Sequence, residues 1–147
     1  MEPCYERKYY ICLYYSSHSF ILSFLYALYR KHYHLAIVPG SILLTSIHYW
    51  KHPIYSFRRD IDIVVVHIST GYQHYMAYNA KYANLYYVIY LTAALFFLIS
   101  IYFYNKKHHW LSTFLHMALH ILCNSANIVL YSGQIKTVCS YSNCLFK

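Results

Sequence analysis

The stretch from Trp110 to Tyr131 most constrains what this chain can fold into. It is 22 residues long and contains no Asp, Glu, Lys or Arg. At about 1.5 Å per residue, a helix of this length crosses a bilayer core of about 30 Å. The stretch therefore predicts a membrane-spanning helix.

This predicted helix has one polar face. At about 100° per residue, its polar side chains fall within one stripe, and aliphatic or aromatic side chains cover most of the remaining surface. Lipid cannot satisfy imidazole or amide groups, so the stripe is expected to face other helices or a watery cavity. The stripe consists of His109, Thr113, His116, His120, Cys123, Asn124, Asn127 and Tyr131.

The composition also favours a membrane protein. Hydrophobic residues make up 59% of the 147 residues and charged residues 11%, against about 25% charged residues in an average soluble chain. The net charge of +8 comes from small basic groups between apolar runs, such as Arg30/Lys31 and Lys106/Lys107. This placement is typical of residues that flank membrane spans and argues against nucleic-acid binding, so the expected partner is the lipid bilayer.

Four further apolar runs complete the predicted fold, an all-α, multipass transmembrane helix bundle with about five spans in one domain. The predicted spans are 9–29, 35–52, 61–78, 83–104 and 110–131, followed by a polar tail at 132–147. Five spans place the termini on opposite sides of the membrane. Seven Lys and Arg then lie on the N-terminal side and five on the other, so the positive-inside rule favours a cytoplasmic N-terminus.

Small residues line one side of the first span. Such a seam lets another helix approach closely, and self-association of the chain through it is one expectation. A basic pair precedes the span and also permits a cleavable signal peptide, but the apolar run continues well past the only weak cleavage site and favours an uncleaved anchor. The seam consists of Ser16, Ser19, Ser23 and Ala27.

Two residues mark expected helix starts in the second and third spans. Pro39 is tolerated in a first turn, so the second helix is expected to begin there and continue to about His52. Asp60 is expected to be the N-cap of the third helix, with Asp62 in the first turn.

The third span is polar on two sides, which predicts that it is central in the bundle or does not span at all. Spans two, three and five are expected to face one another through polar stripes, with span four toward lipid. One side of the third span carries Asp60, His67, His74 and Tyr78, and the other carries Asp62, Ser69 and Gln73.

The pair His116 and His120 is the sharpest candidate site. Residues four apart lie one turn above each other on a helix, so both imidazoles can reach one metal ion. A third ligand from His48 or His67 would leave a position open for water, as in catalytic zinc sites. Asp62 could then orient a ligand or take the water's proton.

Two other interpretations of these polar residues stay open. They can form a seam of hydrogen bonds between helices, each worth about 0.6 kcal/mol, without further chemistry. Alternatively, His67, His74 and Asp62 can act as a proton relay in a small carrier or channel. Without a nucleophile motif, the sequence leaves the choice between enzyme, carrier and structural protein open.

A helix-two His48, an Asp near the start of helix three and the His116/His120 pair together resemble the CREST superfamily of membrane hydrolases, which includes alkaline ceramidases and the progestin and adipoQ receptors. The resemblance implies a zinc ion held by His48, His116 and His120, with Asp62 or Asp60 as the catalytic acid, and a lipid amide as substrate. The chain differs from that family in having five predicted spans instead of seven.

The five cysteines are odd in number and contain no CxxC pair. They predict neither a zinc finger nor a disulfide framework. Cys12 and Cys123 lie in apolar runs and are expected to pack as small hydrophobic residues.

Overall fold

Six α-helices joined by short connections form almost all of the chain that the computed structural model describes, residues 6–135. No β-strand occurs in that range, and the predicted all-α helical bundle is confirmed. Cys139 and Cys144 lie outside the described residues, as does most of the predicted polar tail. The helices are α1 (Arg7–Ser17), α2 (Phe20–Tyr29), α3 (Tyr33–Trp50), α4 (Phe57–Ala77), α5 (Ala83–Asn105) and α6 (His109–Ser132).

Three segments are long and apolar enough to cross a membrane. They are Arg7–Tyr29, which combines α1 and α2, together with Ala83–Asn105 and His109–Ser132. Their bounds agree within two residues with three of the predicted spans. Within residues 6–135, α3 and α4 are not in this class.

The first span runs parallel to α6. The rings of Tyr9 and Trp110, at the starts of these two segments, lie 5.0 Å apart. Further along, the backbone N–H of Ser23 donates to Oδ1 of Asn124 at 3.1 Å. α5 precedes α6 and runs antiparallel to it. The segment α1–α2 and the helix α5 therefore run in opposite directions beside α6.

The helices α3 and α4 complete an up-and-down arrangement. Trp50, at the end of α3, has its ring 5.5 Å from that of His116 in the first half of α6, so α3 is antiparallel to α6. α4 then returns along α3, and the hydroxyl of Thr45 donates to Oδ1 of Asp62 at 2.7 Å. The start of α1, the α3–α4 loop and the α5–α6 loop consequently lie at one end of the bundle.

Two expected helix starts were wrong. α3 begins at Tyr33, so Pro39 lies in the helix interior, where it is buried. α4 begins at Phe57 with Ser56 at the N-cap position, and Asp60 lies in its first turn. Ser56 has the extended backbone conformation of a residue that precedes a helix, and its side chain makes no capping hydrogen bond.

The two polar sides of α4 have different environments. Ser69 and Gln73 are buried, and Gln73 is only 3% exposed. Asp60, His67 and Tyr78 are exposed. α4 is therefore not central in the bundle, which corrects the first of the two alternatives predicted for a helix that is polar on two sides.

Candidate functional site

The polar stripe of α6 faces the interior of the bundle, as predicted. Thr113, His120, Asn124, Asn127 and Tyr131 are all buried. Their partners were predicted incompletely, however. The sequence pointed to the second and third spans, whereas the structure places α1 and α2 directly against His120 and Asn124.

The first span is interrupted in its middle. α1 ends at Ser17 and α2 begins at Phe20. The hydroxyls of Ser16 and Ser17 donate to the carbonyl of Leu13 at 3.0 and 2.9 Å. Such side-chain hydrogen bonds compete with the helical ladder and bend helices. The run of Ser and His at 16–19 was the sequence signal for this interruption, which the sequence interpretation missed.

Asn124 compensates for the interruption. The first N–H groups of a helix lack acceptors within it, and lipid offers none. The N–H of Ser23, in the first turn of α2, donates instead to Oδ1 of Asn124 on α6, at 3.1 Å. Ser23 is fully buried. Asn124 therefore caps a half-helix that belongs to a different span.

His120 contacts the last turn of α1. Its Nδ1 lies 2.8 Å from Oγ of Ser16, and its ring packs edge-on against Phe20 at 5.8 Å between centroids. The histidine is 6% exposed. Together with Asn124, it places hydrogen-bonding groups of α6 on both sides of the interruption.

His116 lies one turn before His120, and the two rings are 5.0 Å apart at an interplanar angle of 88°. The ring of His116 also contacts Trp50 at 5.5 Å and Phe97 at 5.9 Å, both edge-on. The predicted pair is therefore brought together, inside a largely aromatic environment.

The third predicted metal ligand lies elsewhere. His48 is exposed on α3. Ser46, two residues earlier, is buried, and two residues correspond to about 200° of helical rotation, so His48 points away from the interior. Within residues 6–135, no three His, Cys, Asp or Glu side chains form a group that could hold a metal ion. The described residues therefore do not fit a site made of His48, His116 and His120.

The two predicted acids also differ in environment. Asp60 is exposed, and its carboxylate lies 3.5 Å from Nε of Arg59. Asp62 is half-buried between α3 and α4, where its Oδ1 accepts hydrogen bonds from Thr45 at 2.7 Å and Ser46 at 2.8 Å. Asp62 thus joins two helices through hydroxyl groups.

A second buried network connects three helices and was not predicted. Nε2 of Gln73 donates to the hydroxyl of Tyr131 at 2.7 Å, and this hydroxyl donates to the carbonyl of Leu35 at 3.3 Å. The three residues belong to α4, α6 and α3. Their hydrogen bonds join these three helices at the end of the bundle opposite to Trp50.

Within residues 6–135, the predicted relay residues His67, His74 and Asp62 do not form a continuous chain of hydrogen bonds. Nδ1 of His67 donates to the carbonyl of Ile63 at 2.7 Å within α4. His74 lies three turns beyond Asp62, and its Nδ1 is 3.2 Å from the hydroxyl of Tyr86 at the start of α5. Their contacts are with the helix backbone and with tyrosine.

Outside the membrane-spanning segments, one histidine has a shifted pKa. His32 lies between α2 and α3, and burial lowers its pKa below the ordinary value of 6.5. The nearby Arg30 and His34 lower it further, while a hydrogen bond with the backbone of Tyr131 opposes the shift. The neutral form of His32 is therefore favoured.

Several polar side chains form hydrogen bonds between helices and are here called the polar seam: His120, Asn124, Asp62, Gln73 and Tyr131. The chemistry that this polar seam supports is hydrogen bonding between helices. Its members satisfy backbone and side-chain groups that lipid would leave unsatisfied. Cys12 and Cys123 are free thiols and partly buried, in agreement with a packing role. No protein-family model, curated protein or solved structure matches the chain.

Proposed function

We propose that the chain is a multipass integral membrane protein that crosses the bilayer five times and whose polar seam fixes the register of its helices. The N-terminus would lie on the cytoplasmic side. In this role the inward His, Asn, Ser and Gln side chains form structural hydrogen bonds. The protein itself is a stable membrane-embedded scaffold.

One observation carries this proposal: the interior is rich in polar groups while the middle of the outer surface is apolar. A water-soluble bundle would show the reverse pattern. The exposed band includes Leu22, Leu25, Ile37, Leu44, Ile63, Val64, Ile68, Val88, Leu91, Leu95, Leu98 and Ile121. The buried polar residues include Ser17, Ser23, Ser46, Ser69, Gln73, Ser100, Ser112, Thr113, His120, Asn124 and Asn127.

Exposed aromatic residues flank this apolar band at both ends. Tyr and Trp are enriched at the interfaces between membrane and water, where the ring is buried and the polar atom stays hydrated. One end carries Tyr55, Phe57, Tyr102 and Trp110, and the other carries Tyr29, Tyr33, Tyr75, Tyr78 and Tyr82. The band between them has the form of a bilayer-crossing surface.

The outward faces of α3 and α4 support five crossings instead of three. Ile37 and Leu44 on α3 and Val64 and Ile68 on α4 are exposed and continue the apolar band of the other helices. α3 has 18 residues, which gives a length of about 27 Å, close to the thickness of a hydrocarbon core.

The charge distribution supports the proposed orientation. Within residues 6–135, the end that contains the start of α1 carries seven Lys and Arg, and the opposite end carries Arg30, Lys31 and Lys81. Positive residues are enriched on the cytoplasmic side of membrane proteins.

Cysteine labelling in intact vesicles tests the number of crossings. Single cysteines are introduced as Lys31→Cys, His52→Cys and Lys107→Cys in a chain whose native cysteines are replaced by Ala, and a membrane-impermeant maleimide is added. Five crossings place position 52 on the same side as position 107. Three crossings leave the loop of position 52 on the same side as position 31, which contradicts the proposal.

A zinc-dependent hydrolase acting on a lipid amide is the alternative that the CREST resemblance suggests. The adjacent rings of His116 and His120 favour it. The outward position of His48 and the pairing of Asp62 with Thr45 and Ser46 favour the packing role. The packing role therefore explains more of the observed contacts.

A further inference from the structure

Asp62 places a carboxylate inside a helix that, on the proposed function, crosses the bilayer. It is the sixth residue of α4 (Phe57–Ala77), which puts it about 7.5 Å from the start of the helix at about 1.5 Å per residue. The residue is half-buried, and its carboxylate faces α3. An ionisable group at this depth indicates a functional site whose partner has to be identified.

Within residues 6–135, no basic side chain forms an ion pair with Asp62. The ion pairs in this range are made by Lys8 and Arg59 with other carboxylates. Arg58, one turn before Asp62, is exposed. The hydrogen bonds that Asp62 accepts stabilise its carboxylate but do not neutralise it, and a carboxylate at this depth costs free energy unless a counter-charge is present.

Three oxygen atoms from two helices converge at this point. Oδ1 of Asp62 lies 2.7 Å from Oγ1 of Thr45 and 2.8 Å from Oγ of Ser46. The second carboxylate oxygen, Oδ2, accepts no hydrogen bond from any residue in the range 6–135. Oxygens this close together can coordinate one ion, with Oδ2 as a further ligand. Oxygen ligands of this kind suit hard cations.

The hydroxyl groups can act as ligands without movement of the helices. A hydroxyl has one proton to donate and two lone pairs that accept. Oγ1 of Thr45 also lies 3.2 Å from the carbonyl oxygen of Ile42 in its own helix. The Thr45 proton can therefore be donated to that carbonyl while the lone pairs of the hydroxyl face an ion. Binding then requires only the rotation of a hydroxyl group.

We propose that Asp62, Thr45 and Ser46 form a binding site for a sodium ion between α3 and α4. This inference rests on the proposed membrane topology, which places the site within the bilayer. One carboxylate carries one negative charge, which a monovalent ion neutralises, whereas Ca²⁺ takes six to eight oxygen ligands and Mg²⁺ keeps several waters. The short distances between the three oxygens favour Na⁺ over the larger K⁺. The ion supplies the counter-charge and joins the two helices.

This site differs from the zinc site that the sequence predicted. Zinc is bound mainly by nitrogen and sulfur, and His, Cys, Asp and Glu side chains provide its ligands. Within residues 6–135, no three such side chains form a group that could hold a metal ion. The sodium site needs only one of them, Asp62, because hydroxyl oxygens provide its other protein ligands.

Equilibrium binding of radioactive Na⁺ to the full-length protein in detergent tests the site. The wild type should bind about one ion per chain at about 150 mM Na⁺, a physiological ionic strength. Asp62→Asn keeps the shape of the side chain but removes its charge, and it should abolish binding. The control Asp60→Asn changes an exposed carboxylate two residues away and should bind like the wild type. No binding by the wild type, or equal loss in both variants, would overturn the proposal.

Two further variants test the hydroxyl ligands. Thr45→Val and Ser46→Ala should each raise the dissociation constant for Na⁺ at least about tenfold, because each removes one oxygen beside a charged group. The control Thr92→Val on α5 should change it less than about twofold, since the Thr92 hydroxyl bonds to the carbonyl of Val88 in its own helix. Equal effects of the three variants would contradict coordination by the hydroxyls.

Thermal unfolding gives a measurement that does not need a labelled ion. An ion that binds only the folded chain raises the unfolding temperature. Replacing choline by Na⁺ at constant ionic strength should therefore stabilise the wild type and Asp60→Asn but not Asp62→Asn. Stabilisation by acid in place of Na⁺ would assign a proton to Asp62 and contradict the sodium site.

Alkaline extraction separates failure of this inference from failure of the proposed function. A chain that carbonate releases from the membrane is not integral, and then the proposed function fails. A chain that stays in the membrane pellet but neither binds Na⁺ nor is stabilised by it keeps the proposed function, and only the sodium site is rejected.

Discussion

The hydroxyl of Ser16 lies 2.8 Å from Nδ1 of His120, a contact between the first and last helical spans across 104 residues of sequence. It occurs one residue before α1 ends and beside the turn that separates α1 from α2. The last span thus contacts the first where turns with i→i−3 hydrogen bonds replace the regular α-helix. The contribution of this contact between the two spans to the stability of the fold can be measured.

A double-mutant cycle measures the Ser16–His120 contact. Ser16→Ala and His120→Ala should couple by about 0.6 kcal/mol and by no more than about 1.7 kcal/mol, the range for hydrogen bonds between membrane helices. The measurement is the free energy of unfolding in mixed micelles. The control pair is Ser125→Ala with His120→Ala, because Ser125 bonds only to the carbonyl of Ile121 in its own helix. Coupling as large in the control pair would refute the contact.

Asn124→Ala should be more harmful than Ser16→Ala. It leaves the buried N–H of Ser23 without its acceptor, and an unsatisfied buried group costs about 1–3 kcal/mol. The free energy of unfolding should fall by this amount. The control Asn84→Ala changes an exposed amide at the start of α5 and should shift it by less than about 0.5 kcal/mol. Equal effects of the two variants would argue against the capping role.

The bounds of three spans could be predicted from the sequence because the length of an apolar run is limited by the thickness of the bilayer. The inward direction of the α6 stripe also followed from the cost of placing imidazole and amide groups in lipid. The contact with α1–α2 could not be predicted, since it depends on where Ser16 and Ser17 interrupt a helix and on a partner far away in sequence.

The predicted metal ligand His48 illustrates a second limit. The order of the predicted spans places His48 at about the same membrane depth as His116 and His120. The direction of the His48 side chain, however, depends on the rotation of α3 about its axis. That rotation is coupled to Ser46 and Thr45, which face Asp62 on α4. Two residues after Ser46, the side chain points outward. Rotations of this kind come from tertiary contacts, so helical periodicity within one span does not determine them.

The Asp62 contacts predict a large effect of removing both hydroxyl donors. The double variant Thr45→Val/Ser46→Ala leaves a half-buried carboxylate without two hydrogen bonds, each worth about 1.5–3 kcal/mol when the acceptor is charged. The free energy of unfolding should therefore fall by about 3 kcal/mol or more at neutral pH. Adding Asp62→Asn should recover part of this loss. The exposed Asp60→Asn serves as the control, and recovery by that change instead would be inconsistent with the contacts.

Metal content distinguishes the packing role from the hydrolase. Protein purified in detergent and dialysed against zinc is analysed by mass spectrometry beside His116→Ala/His120→Ala. The packing role predicts much less than one zinc per chain in both proteins, with the double variant less stable than the wild type. About one zinc per chain in the wild type, lost in the variant, would support the hydrolase and start a screen of lipid amides.

The lowered pKa of His32 predicts that acid destabilises the fold. Burial lowers the pKa of this imidazole in the folded chain, whereas the unfolded chain takes up a proton near the ordinary pKa of 6.5. Below that value the unfolded state binds more protons, so stability should decrease as the pH falls from about 6.5 and level off below the folded-state pKa. Above about pH 7.5 the contribution of His32 should be independent of pH, since both states are neutral.

The variant His32→Gln should remove this part of the pH dependence. Thermal unfolding in detergent is followed between pH 5 and pH 8, roughly one and a half units on either side of the ordinary histidine pKa. The slope of the unfolding temperature below pH 6.5 should decrease in His32→Gln. It should be unchanged in the control His52→Gln, which alters an exposed histidine at the other end of the bundle. If both variants keep the wild-type slope, acid sensitivity has another origin, and burial of His32 does not control it.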